Sequence, residues 1–279
     1  MALPCGWAKY GKRELKVMKT IVRTVFCAAV LIGMSVLAYA KIVARDYEYK
    51  DGAAQLEGYL VYDDSVKGNV PGIVIVHEWN GLGDYVKTRA AQIAGLGYVA
   101  FCADIYGKGV RPATMDEMSK QAGIYRSDRP LMRRRINRAL EELKKQAKVN
   151  PEKTAVMGYC FGGGVALELA RSGADTSGVV SFHGNLDTPD TADAKNIKAK
   201  VLVLHGAEDP YTSNDQLLTF MKEMRDVKVN WQLNIYPNAV HRFTNPDSGS
   251  DPSKGVAYNK QADERSWEAM RAFYAELFR

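Results

Sequence analysis

The stretch AVMGYCFGGGVALELA, residues 155–170, holds a lone cysteine between two glycines. Apolar residues lead into Gly158-Tyr159-Cys160-Phe161-Gly162, and a pattern of helical spacing follows. A strand, then Gly-x-Cys-x-Gly, then a helix is the nucleophile-elbow arrangement with cysteine in the place of serine. The turn is tight, so positions 158 and 162 must lack a side chain, and the residue between them is pushed out above the sheet. The same turn aims the N–H of Phe161 and the positive end of the helix at the reaction centre, which favours a thiolate and an oxyanion. A glycine-rich turn with an incidental cysteine is the plainer alternative. A phosphate cradle does not fit, because the spacing matches neither G-x-G-x-x-G nor G-x-x-x-x-G-K-[ST].

On either side of the elbow lie GIVIVHE (72–78), YVAFCADIY (98–106), GVVSFHG (178–184) and AKVLVLHG (199–206). These are near-continuous apolar runs of strand length, the mark of strands covered on both faces in a parallel sheet. VNWQLNIYP (229–237) adds a further strand, and IVARDYEYK with AAQLEGYLVYD alternates in the manner of a half-exposed hairpin. Helical patterns fall between them at 84–97, 130–148, 213–226 and 262–279. Strands alternating with helices predict an α/β fold, a mostly parallel central sheet with helices on both faces. The run Arg133-Arg134-Arg135 is read as a solvated helix face.

The chain has 279 residues and a formal net charge of +6. Residues 1–40 read as a signal peptide: Lys19 and Arg23 precede the apolar run TVFCAAVLIGMSVL (24–37), and Ala38-Tyr39-Ala40 is an A-x-A site with cleavage after Ala40. The apolar run is too short for a membrane span of roughly 18–20 residues. Residues 1–17 fit the signal poorly, and Met18 is the better start. A lipoprotein reading through Cys27 is disfavoured by the bulky Phe26 before it. The leader carries six basic residues and one acid, which leaves 32 basic against 31 acidic residues from position 41 onward. That balance removes the case for nucleic acid or an acidic membrane as partner. Residues 41–279 carry no repeat or linker and form one domain, expected to be periplasmic or secreted with no stable membrane association after cleavage. Oligomeric state is left open. Of four cysteines, Cys5 and Cys27 leave with the leader, Cys102 sits in a buried strand, and Cys160 remains at the elbow.

An elbow nucleophile calls for an acid and then a base, each just past a later strand. Asp209 stands in HGAEDP after the next strong strand followed by an acid, with Glu208 as the adjacent competitor. His241 stands in NAVHRF after the strand LNIYP. The four histidines, His77, His183, His205 and His241, all fall at strand ends, but only His241 follows Asp209. The other three are expected to shape the pocket rim or satisfy backbone groups. Glu78, just past the first strong parallel strand, is expected near the thiol, where a carboxylate can hold Cys160 neutral until substrate displaces it; a solvent-facing acid is the alternative. The same loop supplies a second oxyanion N–H, for which Trp79 is the candidate.

HEWNGL, ADIYGKG, GYCFGGGVALELA, HGAEDP and NAVHRF, in that order, resemble the dienelactone hydrolase (carboxymethylenebutenolidase) family over residues 46–279. The resemblance implies an α/β-hydrolase fold, a Cys160–Asp209–His241 triad, Glu78 as the glutamate that pairs with the resting thiol, and no metal or organic cofactor. It also implies a small-molecule ester or lactone substrate, cleaved through an acyl-thioester. Family members place arginines to bind a substrate carboxylate. Here the matching stretches offer Lys108, with Arg111 nearby, and Arg242 as possible substrate-binding groups, with Asn245 further on. Lysine does not reproduce the bidentate fit of arginine to a carboxylate. Two other classes compete with this reading: a catalytically silent binding module on the same fold, and a thiol redox protein using Cys160 with Cys102.

Overall fold

The computed structural model describes residues 41–279. The expected signal peptide, its cleavage site and the start at Met18 lie outside the described residues.

The chain opens with a hairpin, β1 (Ile42–Asp51) and β2 (Ala54–Asp63), then runs β3 (Val70–Val76), α1 (Asp84–Gly95) and β4 (Val99–Ala103). Two helices follow, α2 (Met115–Ser127) and α3 (Arg129–Lys144), and lead to β5 (Val149–Tyr159) and α4 (Phe161–Arg171). The chain closes with β6 (Gly178–Phe182), β7 (Lys200–Gly206), α5 (Asn214–Asp226), β8 (Trp231–Tyr236) and α6 (Lys260–Leu277). Among the described residues the strands form one eight-stranded sheet in the order β1-β2-β4-β3-β5-β6-β7-β8. β1–β2 and β2–β4 pair antiparallel, and every pair from β4–β3 to β7–β8 is parallel.

Alternation along the strands explains the two layers of helices. Val74, Val76, Phe101, Val156, Val179 and Val203 point into a core shared with Ile136, Leu140 and Leu143 of α3, Val165 and Leu169 of α4, and Phe220 of α5. Their strand neighbours Ile73, Ile75, Met157, Val180 and Leu202 face the opposite side, against Val86, Ala90 and Ile93 of α1 and Met270 and Tyr274 of α6. Successive strand residues point to opposite faces, so strands buried on both sides must be apolar at every position. That is why the middle strands read as unbroken apolar runs.

Three local readings change. α2 is a helix that the apolar periodicity does not announce; its signal is the capping box Thr114 with Glu117, both arms of which form. β5 begins at Val149, five residues ahead of the apolar run, because its early residues pair β3 across a register shift at Pro71/Gly72. The arginine run is a solvated face only at Arg134, which is exposed. Arg133 bridges Glu168 and Asp193, while Arg134 and Arg135 both reach Asp51 at the end of β1. Arg135 is buried. The run ties α3 to the hairpin and to α4, since buried guanidinium groups need carboxylate partners.

Candidate active site

β5 ends at Tyr159 and α4 starts at Phe161, so the turn between them is one residue, Cys160. Its backbone sits at φ 53 and ψ −118, a conformation that costs an L-residue about 1–3 kcal/mol. Glycines make the turn possible. A Cβ on Gly158 would collide with the Gly162 carbonyl, and a Cβ on Gly162 would collide with the carbonyls of Val76 and His77. α4 therefore packs directly against the end of β3, the strand that leads to Glu78.

The three residues singled out by chain order come together. Cys160 Sγ lies 3.1 Å from His241 Nε2, and His241 Nδ1 lies 2.8 Å from Asp209 Oδ2. The other oxygen of Asp209 accepts the Tyr211 N–H at 2.9 Å, which fixes the carboxylate. Glu208, the adjacent competitor, faces solvent, while Asp209 is buried against the imidazole. The loop carrying His241 is pinned by its own backbone: the His241 N–H donates to Gly255 O, and its carbonyl accepts from Ala257 N–H. The ring of Tyr211 stands edge-on to His241 at 5.1 Å.

Burial by itself disfavours a charged His241, but the charge on the Cys160 sulfur and the hydrogen bonds to Asp209 and Cys160 outweigh it and push the imidazole up to about 10. A folded value above the ordinary one contributes stability that is fully present below about pH 6.5 and is lost as pH rises through about 10. Asp209→Asn removes the carboxylate that raises His241 through both a hydrogen bond and its charge. The margin in urea stability of the wild type over this variant is expected to shrink between about pH 6.5 and pH 10. A margin constant across that range would overturn the ion-pair account.

Glu78 is hydrogen-bonded to groups other than the thiol that the sequence reading pairs it with. Its carboxylate is held by Arg242 in a two-pronged ion pair, Nε to Oε1 at 2.7 Å and Nη2 to Oε2 at 2.8 Å, and by Asn245 Nδ2 at 2.9 Å. It is buried, and its hydrogen bonds go to these partners rather than to Cys160, whose sulfur bonds His241. Arg242 itself takes a positive φ of 57, and a bidentate charge-assisted pair is the strongest partner a buried carboxylate can find.

The candidate substrate-binding cations are all engaged. Lys108 is exposed and pairs with Glu48 at 2.6 Å. Arg111 donates to Val110 O at 2.9 Å and lies 3.7 Å from Glu57. Arg242 holds Glu78. Trp79 occupies the turn closed by Gly81 N–H on Glu78 O, and Tyr106 OH donates to the Trp79 carbonyl at 2.9 Å. Phe161 opens α4, where the first N–H groups of a helix have no intrahelical acceptor. Its ring packs on Tyr106 and stacks over His77.

His77 does satisfy backbone groups: its Nδ1 lies 2.6 Å from Glu78 O, and its Nε2 accepts the Ile105 N–H at 3.3 Å. His183 bonds the N–H of Cys160 itself. His205 is buried at the end of β7, and its Nδ1 has no partner among the described residues. Asn245, Thr244, Tyr85 and Arg89 line the back of this region without a sequence signal of their own; Asn245 alone was marked, by its place shortly after His241. Cys102 packs on the α1 side of the sheet and Cys160 on the other, and both are free thiols. Burial pushes the Cys102 thiol up to about 12. A disulfide across a sheet is geometrically out of reach, and the redox reading loses its second cysteine.

The sequence profile of the dienelactone hydrolase family matches residues 56–278. Among solved structures, a dienelactone hydrolase-like promiscuous phosphotriesterase from metagenomic libraries superposes with a TM-score of 0.82 at 40% identity, covering 86% of this chain and 100% of its own. A dienelactone hydrolase from Anabaena variabilis superposes with a TM-score of 0.63 at 19% identity, covering 86% of this chain and 100% of its own, a likeness of fold. A Bradyrhizobium protein named a probable 2-oxo-3-(5-oxofuran-2-ylidene)propanoate lactonase is 27% identical over 64% of this chain and 75% of its own.

Proposed function

The chain belongs to the dienelactone hydrolase family and is a carboxylic ester or lactone hydrolase of the α/β-hydrolase fold, and on that premise we propose that it works through a Cys160–His241–Asp209 triad and an acyl-thioester. The observation that carries the proposal is the continuous hydrogen-bonded line from Cys160 Sγ through the imidazole to Asp209, set on a residue whose backbone is held at φ 53.

His241 takes the Cys160 proton, and the thiolate attacks the carbonyl carbon of the ester or lactone. The N–H groups of Phe161 and Trp79 receive the oxyanion; such donors are worth about 3–4 kcal/mol each in related chemistry. The imidazolium returns its proton to the departing alkoxide. Acylation removes the charge on sulfur, which was the largest influence raising His241, so the imidazole falls back toward its ordinary range and can serve as base for the incoming water. Asp209 keeps the ring in one orientation throughout. Arg242 with Glu78, Arg111 and Lys108 are the charged groups by which an anionic substrate would be sensed, and each must first exchange an internal partner.

We further propose that residues 1–40 direct export and are removed, leaving a periplasmic or secreted enzyme. No helix among the described residues is long and apolar enough to cross a membrane.

The test is direct. Purified protein is mixed with p-nitrophenyl acetate, p-nitrophenyl butyrate, a simple lactone and a dienelactone, acid-quenched at short times and digested. The expected result is release of nitrophenolate together with an acyl mass increment on the peptide that contains Cys160. Turnover with the acyl group on another residue, or on none, would defeat the thioester route. A phosphotriester belongs in the same panel, because a relative 40% identical is described as a promiscuous phosphotriesterase.

A further inference from the structure

Behind the nucleophile lies a buried polar chain that the triad does not use. The Cys160 N–H donates to His183 Nδ1 at 3.1 Å, as well as to Phe182 O at 3.0 Å. His183 Nε2 lies 2.7 Å from Thr244 Oγ1, and Thr244 Oγ1 lies 2.6 Å from the Tyr85 hydroxyl. Arg89 closes the chain: its Nε donates to Tyr85 OH at 3.3 Å, and its Nη2 donates at 2.6 Å both to the Thr244 carbonyl and to Asp263 Oδ1 on α6. His183 and Thr244 are 1% and 0% exposed, so water does not stand in for a missing partner.

One backbone group sets the direction of this chain. An amide N–H can only donate, so His183 Nδ1 must present a lone pair. A neutral ring with its lone pair on Nδ1 carries its proton on Nε2, and that proton goes to Thr244. Thr244 is thereby an acceptor toward His183 and has its own hydroxyl proton free for Tyr85. A charged His183 would turn Nδ1 into a donor facing a donor. It would also place a second cation beside His241, whose ring is 5.4 Å away edge-on, and beside Arg242 and Arg89.

We propose that His183 is a positioning residue for the nucleophile: held as the neutral Nε2–H tautomer by Thr244, it accepts the N–H of Cys160 and locks that residue in its strained turn. The proposal rests on Cys160 being the nucleophile. It has two consequences. The N–H of Cys160 is committed to His183 and β6, so it is not an oxyanion donor, which leaves that task to its neighbours. The strain at Cys160, φ 53, and at His183 itself, φ 40, is held by a hydrogen bond between the two strained residues. Burial keeps the His183 imidazole well below its ordinary range, in keeping with a ring that stays neutral beside His241.

Two measurements decide it. The first is the ring nitrogen spectrum of the 15N-histidine-labelled full chain at neutral pH, with His183 assigned by its loss in His183→Gln. A protonated Nε2 beside an unprotonated Nδ1 is expected; a protonated Nδ1 or a doubly protonated ring overturns the proposal. The second compares Thr244→Val with Thr244→Ser on p-nitrophenyl acetate. The valine is expected to lower kcat about 10- to 100-fold with KM little changed, and the serine to restore it, because only serine keeps the acceptor. Equal kcat in the valine variant and wild type, or a loss that serine does not restore, overturns it. If the valine variant does not fold, the wild-type spectrum stands as the test. Turnover that survives Cys160→Ala would instead defeat the nucleophile assignment and leave the tautomer result untouched.

Discussion

Cys160→Ala is expected to lower kcat on every ester that the wild type cleaves, by about 10^5- to 10^6-fold, as loss of the nucleophile does in triad hydrolases. Alanine keeps a Cβ, so the variant keeps the same demand for a positive φ at the elbow, and its fold and melting behaviour should stay close to wild type. What disappears is the thiol hydrogen-bonded to His241 Nε2, the group there that can form a covalent bond to an acyl group. His241 loses with it the charge that raises it most, and the remaining site keeps its acid and base with nothing to attack. Residual turnover within tenfold of the wild type, in protein shown to be folded, would sink both the thiol mechanism and the acyl-thioester. Equal inactivity of wild type and variant across a wide ester panel would favour the silent binding module on this fold.

Asp209→Asn should follow, with a loss in kcat of about 10^3- to 10^4-fold. The carboxylate has two jobs that an amide performs badly. Oδ2 accepts from His241 Nδ1, and Oδ1 accepts the Tyr211 N–H. An amide can satisfy one of these with its oxygen and offers an NH2 donor to the other, so either the loop or the imidazole loses its partner. If the amide faces His241 with its donor, the ring is driven to the wrong tautomer and Nε2 can no longer take the thiol proton. Glu208→Gln is the internal control. Its side chain faces solvent, and kcat should change by less than about twofold, as for surface substitutions in general. Comparable losses in the two variants would mean that the acid has been assigned to the wrong residue.

Much of the site can be read directly from the chain because it is local. Gly158 and Gly162 flank Cys160 within five residues, and the steric demand of the turn follows from those positions alone. The apolar runs at 72–78, 98–106 and 199–206 announce strands buried on both faces, and chain order then selects Asp209 and His241. Even α2, absent from the periodicity, had its cap written in Thr114 and Glu117. Local rules of this kind work wherever the residues that satisfy one another are neighbours in sequence.

The second half of the site is decided by contacts between distant loops. Glu78 and Arg242 are 164 residues apart, and Glu78 and Asn245 are 167 apart. Nothing at either position shows that the carboxylate will meet a guanidinium rather than the thiol. The outcome depends on folding that brings the loop after His241, in which Arg242 takes φ 57, against the segment that follows β3. The tie between His183 and Cys160 is of the same kind: two strand-end residues, both at positive φ, brought side by side by the parallel pairing of β5 and β6. The sequence by itself thus determined the elbow and the sheet, which follow from side-chain size and from the two-residue and helical periods, and it supplied by chain order the residues of the proposed triad. Tertiary structure alone decided which buried charge meets which and which partner each ring nitrogen faces, because a buried polar group is satisfied by whatever donor or acceptor folding brings within about 3 Å of it.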